Sequence, residues 1–476
     1  MAGTKKLGLF SAVSTCVGLI VATSCLVSLG TGSGLAGAGF AIPLAIAVVL
    51  NMFIALSFGE LHAMMPNVTG GMGQYTATAL GPVPSIISNI SAYVFCMAFA
   101  ASAEAVMCGL VFTQAFAPDW NPLVVSTVVT LILLAANFRG IDMFARIQNV
   151  TVTLLIGSLA ALAILSFFMI APGQPVTTVE TPAITGFGDL AGLAAIGFWL
   201  FIGVEFVIPI SKELRNPKRD VLLAMVIGLV VLFVVQLLLG IGMTNYVPLS
   251  VLSSEAMPHI VFAQSLLGDV GKYWMGIITL LAGVSTLNTV LASSTRITAG
   301  MAEGGMLPRF FAKENKKGVP FGGLLLLTGS ILGIVLTGLG NSADLITMIL
   351  TGSCFWLVSY IITHVNVLVL RRRYPQRAAA WKFKLFGIPQ IIGIIGCVYM
   401  IINISPDPDA KTIIFTVFGI ALGLLITYAT VWTKFVMKKG IFEHVPIEAV
   451  IAGGPVGREM DEPETQPGVA AGKSAI

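Results

Sequence analysis

Long runs of apolar residues alternate along the chain with short polar segments. A helix that spans a bilayer needs roughly 20 predominantly apolar residues, and the polar segments carry Pro, Asn, Asp, Lys or Arg, as expected where a chain leaves lipid. The pattern predicts twelve transmembrane helices, near residues 8–34, 38–63, 84–115, 122–138, 146–170, 188–210, 221–244, 272–302, 320–339, 343–370, 386–404 and 411–436. Beyond residue 440 the sequence turns polar and rich in Gly and Pro, so residues 441–476 are predicted to form a disordered tail.

The composition agrees with a membrane protein. Only 10% of the residues are charged and 56% are hydrophobic, whereas a soluble domain carries roughly 25% charged residues. A soluble globule is therefore excluded, and an all-α polytopic membrane protein is predicted, with lipid as a partner and no nucleic-acid partner. We predict no metal or other cofactor, and the cysteines lack metal-ligand spacing. No pair of cysteines suggests a disulfide framework either. They are interpreted as small apolar fillers: Cys16, Cys25, Cys96, Cys108, Cys354 and Cys397.

The basic residues predict the topology. If Lys5 and Lys6 face the cytoplasm, all 26 Lys and Arg residues except Lys272 and Lys411 lie in or near cytoplasmic segments. This bias follows the positive-inside rule and predicts an even number of helices, with both termini in the cytoplasm and the protein in the cytoplasmic (inner) membrane. The first apolar stretch has no small-residue cleavage site, so it is predicted to be a retained helix and not a signal peptide.

Two predicted helices contain small, polar or helix-breaking residues at mid-membrane depth. These are residues 17–24 (VGLIVATS) in helix one and residues 198–205 (FWLFIGVE) in helix six. A broken helix frees backbone groups that lipid tolerates only where they line a cavity or bind a ligand. Freed N–H groups suit a carboxylate and freed carbonyls suit an ammonium. Close helix packing is the alternative explanation, but the pairing of helices one and six favours a five-plus-five inverted repeat with a central site.

Two carboxylates are predicted to lie inside the membrane, where a charge is costly. For Glu104, in the middle of helix three, three interpretations stay open: it pairs with a cationic group of the substrate, it exchanges a proton, or it is neutral and hydrogen-bonded for structure. For Glu205, in helix six, a structural or proton-linked role is favoured over substrate contact. Glu60, near the end of helix two, is interpreted as an interface residue that holds a loop.

Three stretches resemble the amino acid–polyamine–organocation (APC) permeases. They are FWLFIGVEFVIPISKELRNPKRDV at 198–221, LNTVLASSTRITAGMAEGGMLPRFFAKENKKGVPFGGLLL at 287–326 and FGELHAMMPNVTGGMGQY at 58–75. With the twelve-helix pattern, the resemblance covers nearly the whole chain except the tail. It implies a five-plus-five inverted-repeat (LeuT-like) core within a transporter domain of residues 1–440. The repeats would span about 8–170 and 188–370, and two extra helices would span about 386–436.

The resemblance also implies which residues bind the substrate. In the family the break in helix one reads Gly-Ser-Gly and its amides hold the substrate α-carboxylate; here the matching residues are Ala22, Thr23 and Ser24. The family's lysine in helix five corresponds to Leu155, so lysine-mediated coupling is not expected. The implied substrate-binding residues are Ile20, Ala22, Thr23, Ser24, Met97, Ala101, Glu104, Trp199, Phe201, Ile202 and Gly203, with Glu104 and Glu205 as proton-linked or gating residues.

The predicted function is secondary active transport of amino acids or related amines, as a permease or exchanger. Glu104 favours substrates with an extra amine, such as a basic amino acid, a polyamine or an amino alcohol. The alternative is a neutral amino acid proton symporter; symport or exchange, protons as a partner and the oligomeric state stay open. An integral-membrane enzyme would need clustered catalytic residues, but the histidines are scattered, so no enzyme is predicted. A channel would not explain the paired breaks.

Overall fold

A computed structural model of the chain describes residues 6–66, 72–177, 180–186, 188, 190, 193–255, 257–337, 342–379, 385–405 and 407–451. These residues form helices and connecting segments. Apart from two isolated bridges, Leu7 with Leu214 and Glu314 with Pro320, no β-pairing occurs within these ranges. The glycine pair of the 58–75 stretch, at positions 70 and 71, lies outside the described residues.

The helices are numbered along the chain. They are α1 (Leu9–Ile20), α2 (Thr23–Ala36), α3 (Ala41–Met64), α4 (Met72–Ala79), α5 (Pro82–Ala115), α6 (Pro122–Asn137), α7 (Ile141–Phe167), α8 (Ala194–Trp199), α9 (Pro217–Tyr246), α10 (Leu249–Ser254), α11 (Pro258–Leu267), α12 (Asp269–Glu303), α13 (Phe321–Leu336), α14 (Ser342–Arg373), α15 (Pro375–Ala379), α16 (Ile388–Ile402), α17 (Pro408–Val436) and α18 (Ile447–Ile451). Short 3₁₀ segments add Gly37–Phe40, Val204–Glu213, Arg309–Ala312 and Leu385–Gly387.

Each of the twelve predicted segments is helical. Among the described residues, nine helical stretches are long and apolar enough to cross a membrane, and α1, α6 and α13 are shorter apolar helices. Predicted helix one is divided into α1 and α2, and predicted helix six consists of α8 followed by the 3₁₀ segment Val204–Glu213. The chain is therefore a multi-pass membrane protein. The twelve-span inverted-repeat arrangement stays a prediction.

The helices differ sharply in how much of their surface other helices cover. In the stretch Ala194–Glu213 94% of the most apolar window is buried, whereas in Pro408–Val436 only 17% is buried. Helix α12 lies inside the bundle and packs against α1, α5 and α7. The interrupted helices are therefore central, and α17 lies at the periphery with large apolar side chains such as Ile420 and Leu424 exposed to lipid.

Both ends of the described chain lie on one face of the bundle. Near the N-terminus, the Leu7 amide donates to Glu213 O (2.7 Å) and the Arg215 amide donates to Leu7 O (2.9 Å), where helix six ends. Helix α3 returns the chain to the face at which α1 begins, so α4 lies on that face as well. Residues 441–451 pack against α4 there. We call this side the terminal face.

The prediction of a disordered tail from residue 441 is wrong for its first part. Residues 441–451 pack on the terminal face: the Val445 amide donates to Ala77 O (3.1 Å), and Ile447 on α18 is fully buried. Apolar residues spaced along this short segment bury enough surface to hold it in place, although its average composition is polar. The rest of the predicted tail, residues 452–476, lies outside the described residues.

Glu60 is interpreted from the sequence as an interface residue that holds a loop, but in the structure it binds a residue of another helix. Its carboxylate accepts two hydrogen bonds from Arg371, from Nε at 2.8 Å and from Nη2 at 2.6 Å. Glu60 is fully buried, and the Arg371 side chain is 14% exposed. This bidentate pair joins the end of α3 to the end of α14 on the terminal face. A buried carboxylate needs such a partner, because an unpaired charge there would be strongly destabilising.

Candidate functional site

The break in helix one is formed by two residues. Helix α1 ends at Ile20 and α2 begins at Thr23, and the intervening Val21 and Ala22 have φ of −80° and −89°. Any residue can adopt these negative φ values, so the break forms without the glycines that the family pattern has at this place. The interruption leaves the first amides of α2 without partners in their own helix.

Glu104 supplies the missing partner. Its Oε2 accepts a hydrogen bond from the Thr23 amide (2.8 Å), and its Oε1 accepts one from the Ser24 amide (2.9 Å). Glu104 lies on α5 and is 1% exposed. The carboxylate thus caps α2 from a neighbouring helix, where the helix dipole and the charge-assisted hydrogen bonds both favour a negative charge. The anion-binding end of α2 is already occupied by a carboxylate of the protein.

A small cavity lies beside this break. Its volume is about 30 Å³, enough for about one or two water molecules. A whole amino acid is several times larger, so the cavity in this structure is too small to hold one. The lining residues are Leu19, Ile20, Ala22, Ser24, Cys25, Met97, Ala100, Glu104, Trp199, Ile202, Thr286, Val290 and Trp356. We call this space the central cavity.

The structure brings many of the predicted site residues together at the central cavity. Those that line it are Ile20, Ala22, Ser24, Met97, Glu104, Trp199 and Ile202. Trp199 closes one wall, and its indole Nε1 donates to Ser24 Oγ (3.1 Å). An aromatic wall and a carboxylate therefore face the same small space.

Three other predicted residues do not line the cavity. Thr23 contributes its backbone amide to Glu104, but its hydroxyl turns away and donates to Thr279 O (3.2 Å). Ala101 is fully buried, and its neighbour Ala100 takes the lining position. Phe201 points to another helix, where its ring packs against a phenylalanine of α9. A shift of one residue along a helix moves a side chain by about 100°, which sequence spacing alone does not resolve.

Gly203 and Glu205 lie behind the cavity wall. Glu205 accepts hydrogen bonds from Tyr93 Oη (3.2 Å) and Tyr360 Oη (2.8 Å), and the Gly203 amide donates to Tyr360 Oη (3.3 Å). Gly203 has φ of +107°, and a Cβ there would collide with the side chain of Leu19. The break in helix six therefore requires glycine, and Glu205 ties this break to α5 and α14.

The freed carbonyls of α1 are satisfied by α12. Gly18 O accepts from Ser285 Oγ (2.8 Å), and Leu19 O accepts from Thr286 Oγ1 (3.1 Å). Buried backbone groups are nearly always paired in native structures, and here the protein itself provides the partners on both sides of the break. Thr286 also lines the central cavity; no motif in the sequence identified it.

A row of amide side chains joins α6, α7 and α12, and it reaches α1 through Gln148, whose Nε2 donates to Ser14 O (3.3 Å). Gln148 on α7 donates from Nε2 to Ser285 Oγ (2.9 Å), Asn288 Nδ2 donates to Gln148 Oε1 (3.4 Å), and Asn137 Nδ2 donates to Asn288 Oδ1 (3.0 Å). The alignment pointed to Leu155 as the position of interest in helix five, and Leu155 is a buried apolar residue. The polar side chains of helix five that reach α1 lie about two turns earlier: Gln148 bonds to Ser14 O, and Asn149 Nδ2 donates to Ser11 Oγ (3.1 Å).

Comparisons with known proteins agree with this architecture. The family model for "Amino acid permease" matches residues 7–433. The chain is 26% identical over 453 residues to a branched-chain amino acid permease of Bacillus subtilis (strain 168), covering 88% of this chain and 92% of that protein. It is 24% identical to the gamma-aminobutyric acid permease of the same organism, covering 86% and 90%. It is 22% identical to a putative histidine permease there, covering 84% and 87%.

The family match extends over nearly all of the described helices, including the interrupted ones that form the central cavity. The relatives are transporters, which confirms the prediction that the protein is not an enzyme. A multi-pass membrane protein with this match has a small-molecule amino acid substrate. The chain belongs to the amino acid permease family of the APC superfamily.

Proposed function

We propose that the protein is a secondary active transporter of the cytoplasmic membrane that carries amino acids or related amines by alternating access, as a permease or an exchanger. The family match supports amino acid transport. Interruptions in predicted helices one and six, on either side of one cavity, support a five-plus-five inverted-repeat core. In this proposal the repeats span about 8–170 and 188–370, and the peripheral α16 and α17 are the extra helices.

The terminal face is proposed to lie in the cytoplasm. The described basic residues of this face include Lys6, Lys212, Arg215, Arg371 and Arg373. The opposite side carries Lys272 and Lys411. Cytoplasmic segments of membrane proteins are enriched in Lys and Arg, so this asymmetry supports termini in the cytoplasm.

One observation carries the proposal about the substrate: Glu104 occupies the Thr23 and Ser24 amides. A substrate without a carboxylate, or with an amine beyond its α-amino group, can bind while Glu104 stays on α2 and offers its negative charge to an ammonium group. Of the described residues that line the central cavity, none carries a positive charge. The site therefore favours cationic groups, and an amine-rich substrate is our first candidate.

A neutral amino acid is the second candidate, because the printed names of the relatives include branched-chain amino acid and gamma-aminobutyric acid permeases. In this case the substrate carboxylate replaces Glu104 on the α2 amides. The displaced Glu104 carboxylate has then lost both amide donors, and no described residue of the cavity wall offers it a basic side chain, so in this candidate it binds a proton. Substrate entry and proton uptake would be coupled through one set of amides, which gives a proton symporter.

The two candidates differ in a substrate panel built from matched pairs. Purified full-length protein in proteoliposomes is offered L-lysine with cadaverine and L-leucine with isoamylamine, so that each pair differs by one carboxylate. Ethanolamine and glutamate complete the panel, and each uptake is measured with and without a pH gradient and with preloaded counter-substrate. Entry of cadaverine, ethanolamine or lysine ahead of leucine supports the first candidate. Leucine uptake that rises with an inward proton gradient supports the second. If none of the compounds enters or exchanges, the transport proposal fails.

A further inference from the structure

A second, larger cavity opens on the terminal face. Its volume is about 220 Å³, and its wall carries three basic and three acidic side chains: Lys212, Glu213, Arg296, Glu303, Glu314 and Lys317. We call it the terminal vestibule. Equal numbers of opposite charges leave the vestibule without net charge, in contrast to the central cavity, whose single charged group is Glu104.

Arg296 lies half-buried in this wall and has few hydrogen-bond partners. Its guanidinium has five N–H donors, and the hydrogen bond found for it runs from Nη1 to Ala292 O, one turn earlier in its own helix (3.0 Å). Within the described ranges, no ion pair of 4.0 Å or less involves Arg296. Glu213 and Glu314 of the same wall act on the guanidinium electrostatically, but among the described residues neither carboxylate forms a hydrogen bond with it. The free N–H groups of Arg296 are available to an anionic group that enters the vestibule.

Glu213 presents the complementary group. Its Oε2 is buried and has no hydrogen-bond partner among the described residues. Glu213 follows directly after Lys212 at the end of the 3₁₀ segment of helix six, while Arg296 lies on α12. A cation with free donors and a carboxylate with a free oxygen therefore line one cavity from two different elements without bonding to each other.

Helix α12 connects the two cavities. Thr286 and Val290 line the central cavity, and Arg296 lines the terminal vestibule. At a rise of about 1.5 Å per residue, the step from Val290 to Arg296 is about 9 Å along the axis. Ser293 lies between them, one turn from each, and its buried hydroxyl has no partner among the described residues. By contrast, the Thr289 hydroxyl one turn earlier is satisfied within the helix, because it donates to Ser285 O (3.0 Å). Ser293 is thus a polar position on the face that joins the cavities.

From this arrangement we infer that the terminal vestibule is a second binding site for a free amino acid, with Arg296 donating to its carboxylate and Glu213 accepting from its ammonium group. A zwitterion satisfies both unpartnered groups at once, whereas an amine or a carboxylic acid satisfies only one. The inference deepens the proposed function and rests on it for the direction of transport: on release, the amino acid passes Ser293 and pauses in the vestibule. The binding itself is testable without transport.

The test measures protection of one engineered cysteine in the full-length protein. Ala299 lines the vestibule one turn after Arg296, and the native cysteines are all buried. Ala299→Cys in inside-out membrane vesicles is labelled with a membrane-impermeant thiol reagent, in the presence of L-leucine, L-lysine or gamma-aminobutyric acid. Two further compounds are tested as controls: isoamylamine, which has the amine of leucine without its carboxylate, and isovalerate, which has a carboxylate without an amine. We expect at least one amino acid to slow labelling at a lower concentration than either half-molecule does.

Replacing Arg296 identifies the carboxylate partner. In an Arg296→Gln background the protecting concentration should rise about tenfold or more, because a charge-assisted hydrogen bond is lost. Arg296→Lys keeps a cation and should retain part of the protection. Lys313→Gln removes an exposed cation from the segment that follows α12. Lys313 is not among the residues of the vestibule wall, so this variant should leave protection unchanged. If the Arg296 variants fail to insert, Glu213→Gln serves instead, with the same expected rise.

Three results would overturn the inference. The first is that none of the three amino acids protects Ala299→Cys, and the second is that protection is equal with and without Arg296. The third is that protection disappears in a Trp199→Ala background, because binding would then belong to the central cavity and act on the vestibule indirectly. Protection without any uptake in the substrate panel would support the vestibule site and count against the transport proposal, so the two failures are distinguishable.

Discussion

The central cavity and the terminal vestibule lie about 9 Å apart along α12, but their polar groups are paired differently. At the central cavity, Glu104 and the hydroxyls of α12 satisfy the freed amides and carbonyls of the helix-one break. In the vestibule, Arg296 and Glu213 face a larger space with donors and an acceptor unused.

The difference indicates what each region must do when a substrate binds. The carboxylate of a ligand can reach the two α2 amides only by displacing Glu104, so a ligand that binds these amides requires an exchange of partners. A ligand in the vestibule adds bonds without breaking any. A site that must exchange partners can couple binding to a second event such as proton uptake, whereas a site with free partners can bind on its own.

The largest expected effect comes from removing the carboxylate that caps α2. Glu104→Ala leaves the Thr23 and Ser24 amides without acceptors in a buried place, at a cost of roughly 1–3 kcal/mol each. Uptake of every transported compound should fall by about a hundredfold. Ser102→Ala on the same helix is the control, because Ser102 bonds only within α5. Near-normal uptake by Glu104→Ala would show that the cap does not organise the central cavity.

The break in helix six should be more sensitive to an added methyl group than an uninterrupted helix is. Gly203→Ala places a side chain at φ +107° against Leu19 and should destabilise the protein by about 1–3 kcal/mol or more. Gly157→Ala on α7 meets open space and should be neutral or slightly stabilising. Thermal unfolding of the purified proteins in detergent measures both. Equal melting temperatures for the two variants would contradict the strained geometry of the helix-six break.

Loosening the amide row should have a smaller effect. Gln148→Leu keeps the volume of the side chain but removes its hydrogen bonds with Ser285 and Asn288. Stability should fall by about 1–2 kcal/mol, and α1 should become easier to displace. Hydrogen exchange of the α1 amides measures that displacement, and Thr153→Val on the outer side of α7 is the control. Unchanged protection of α1 in Gln148→Leu would remove this row from the account.

A fall of about one pH unit below 6.5 should weaken the fold by about 1.4 kcal/mol through His259. Burial lowers the pKa of His259 on α11 from 6.5 to about 3, so the unfolded chain binds a proton between these values and the folded protein does not. Stability is therefore fully present above pH 6.5 and is lost as the pH falls towards 3, by about 1.4 kcal/mol per pH unit. His259→Phe should flatten this dependence in unfolding curves. An unchanged slope in His259→Phe would show that other groups cause the pH dependence. Neither cavity has a histidine in its described wall.

The fold was largely predictable because hydropathy and charge report on lipid directly. The predicted helices lie where the chain has long apolar runs, and the break at Val21–Ala22 follows from a small and polar stretch at mid-membrane depth. The first part of the tail was mispredicted, because residues such as Ile447 are buried by contacts with α4 that a local composition does not reveal.

The candidate site was predictable only in part. Glu104 stood out because an intramembrane carboxylate is costly, and the structure places it at the break. Val290 belongs to the stretch 287–326 that resembles the family, but nothing local marks it, Thr286 or Trp356 as a site residue. Only the packing of α12 and α14 brings these three residues to the cavity. The free donors of Arg296 were equally hidden, because sequence indicates a charge but not whether it has a partner.

The central claim is that Glu104 holds the α2 amides and offers its charge to the substrate. The most direct measurement compares uptake of cadaverine and L-leucine by the wild-type protein and by Glu104→Gln in proteoliposomes. The Gln side chain keeps an oxygen acceptor for one amide but loses the negative charge. The account predicts that cadaverine uptake falls by more than about tenfold relative to leucine uptake, because an ion pair in a water-poor cavity is lost. Equal losses for both compounds, or no loss for either, would contradict it.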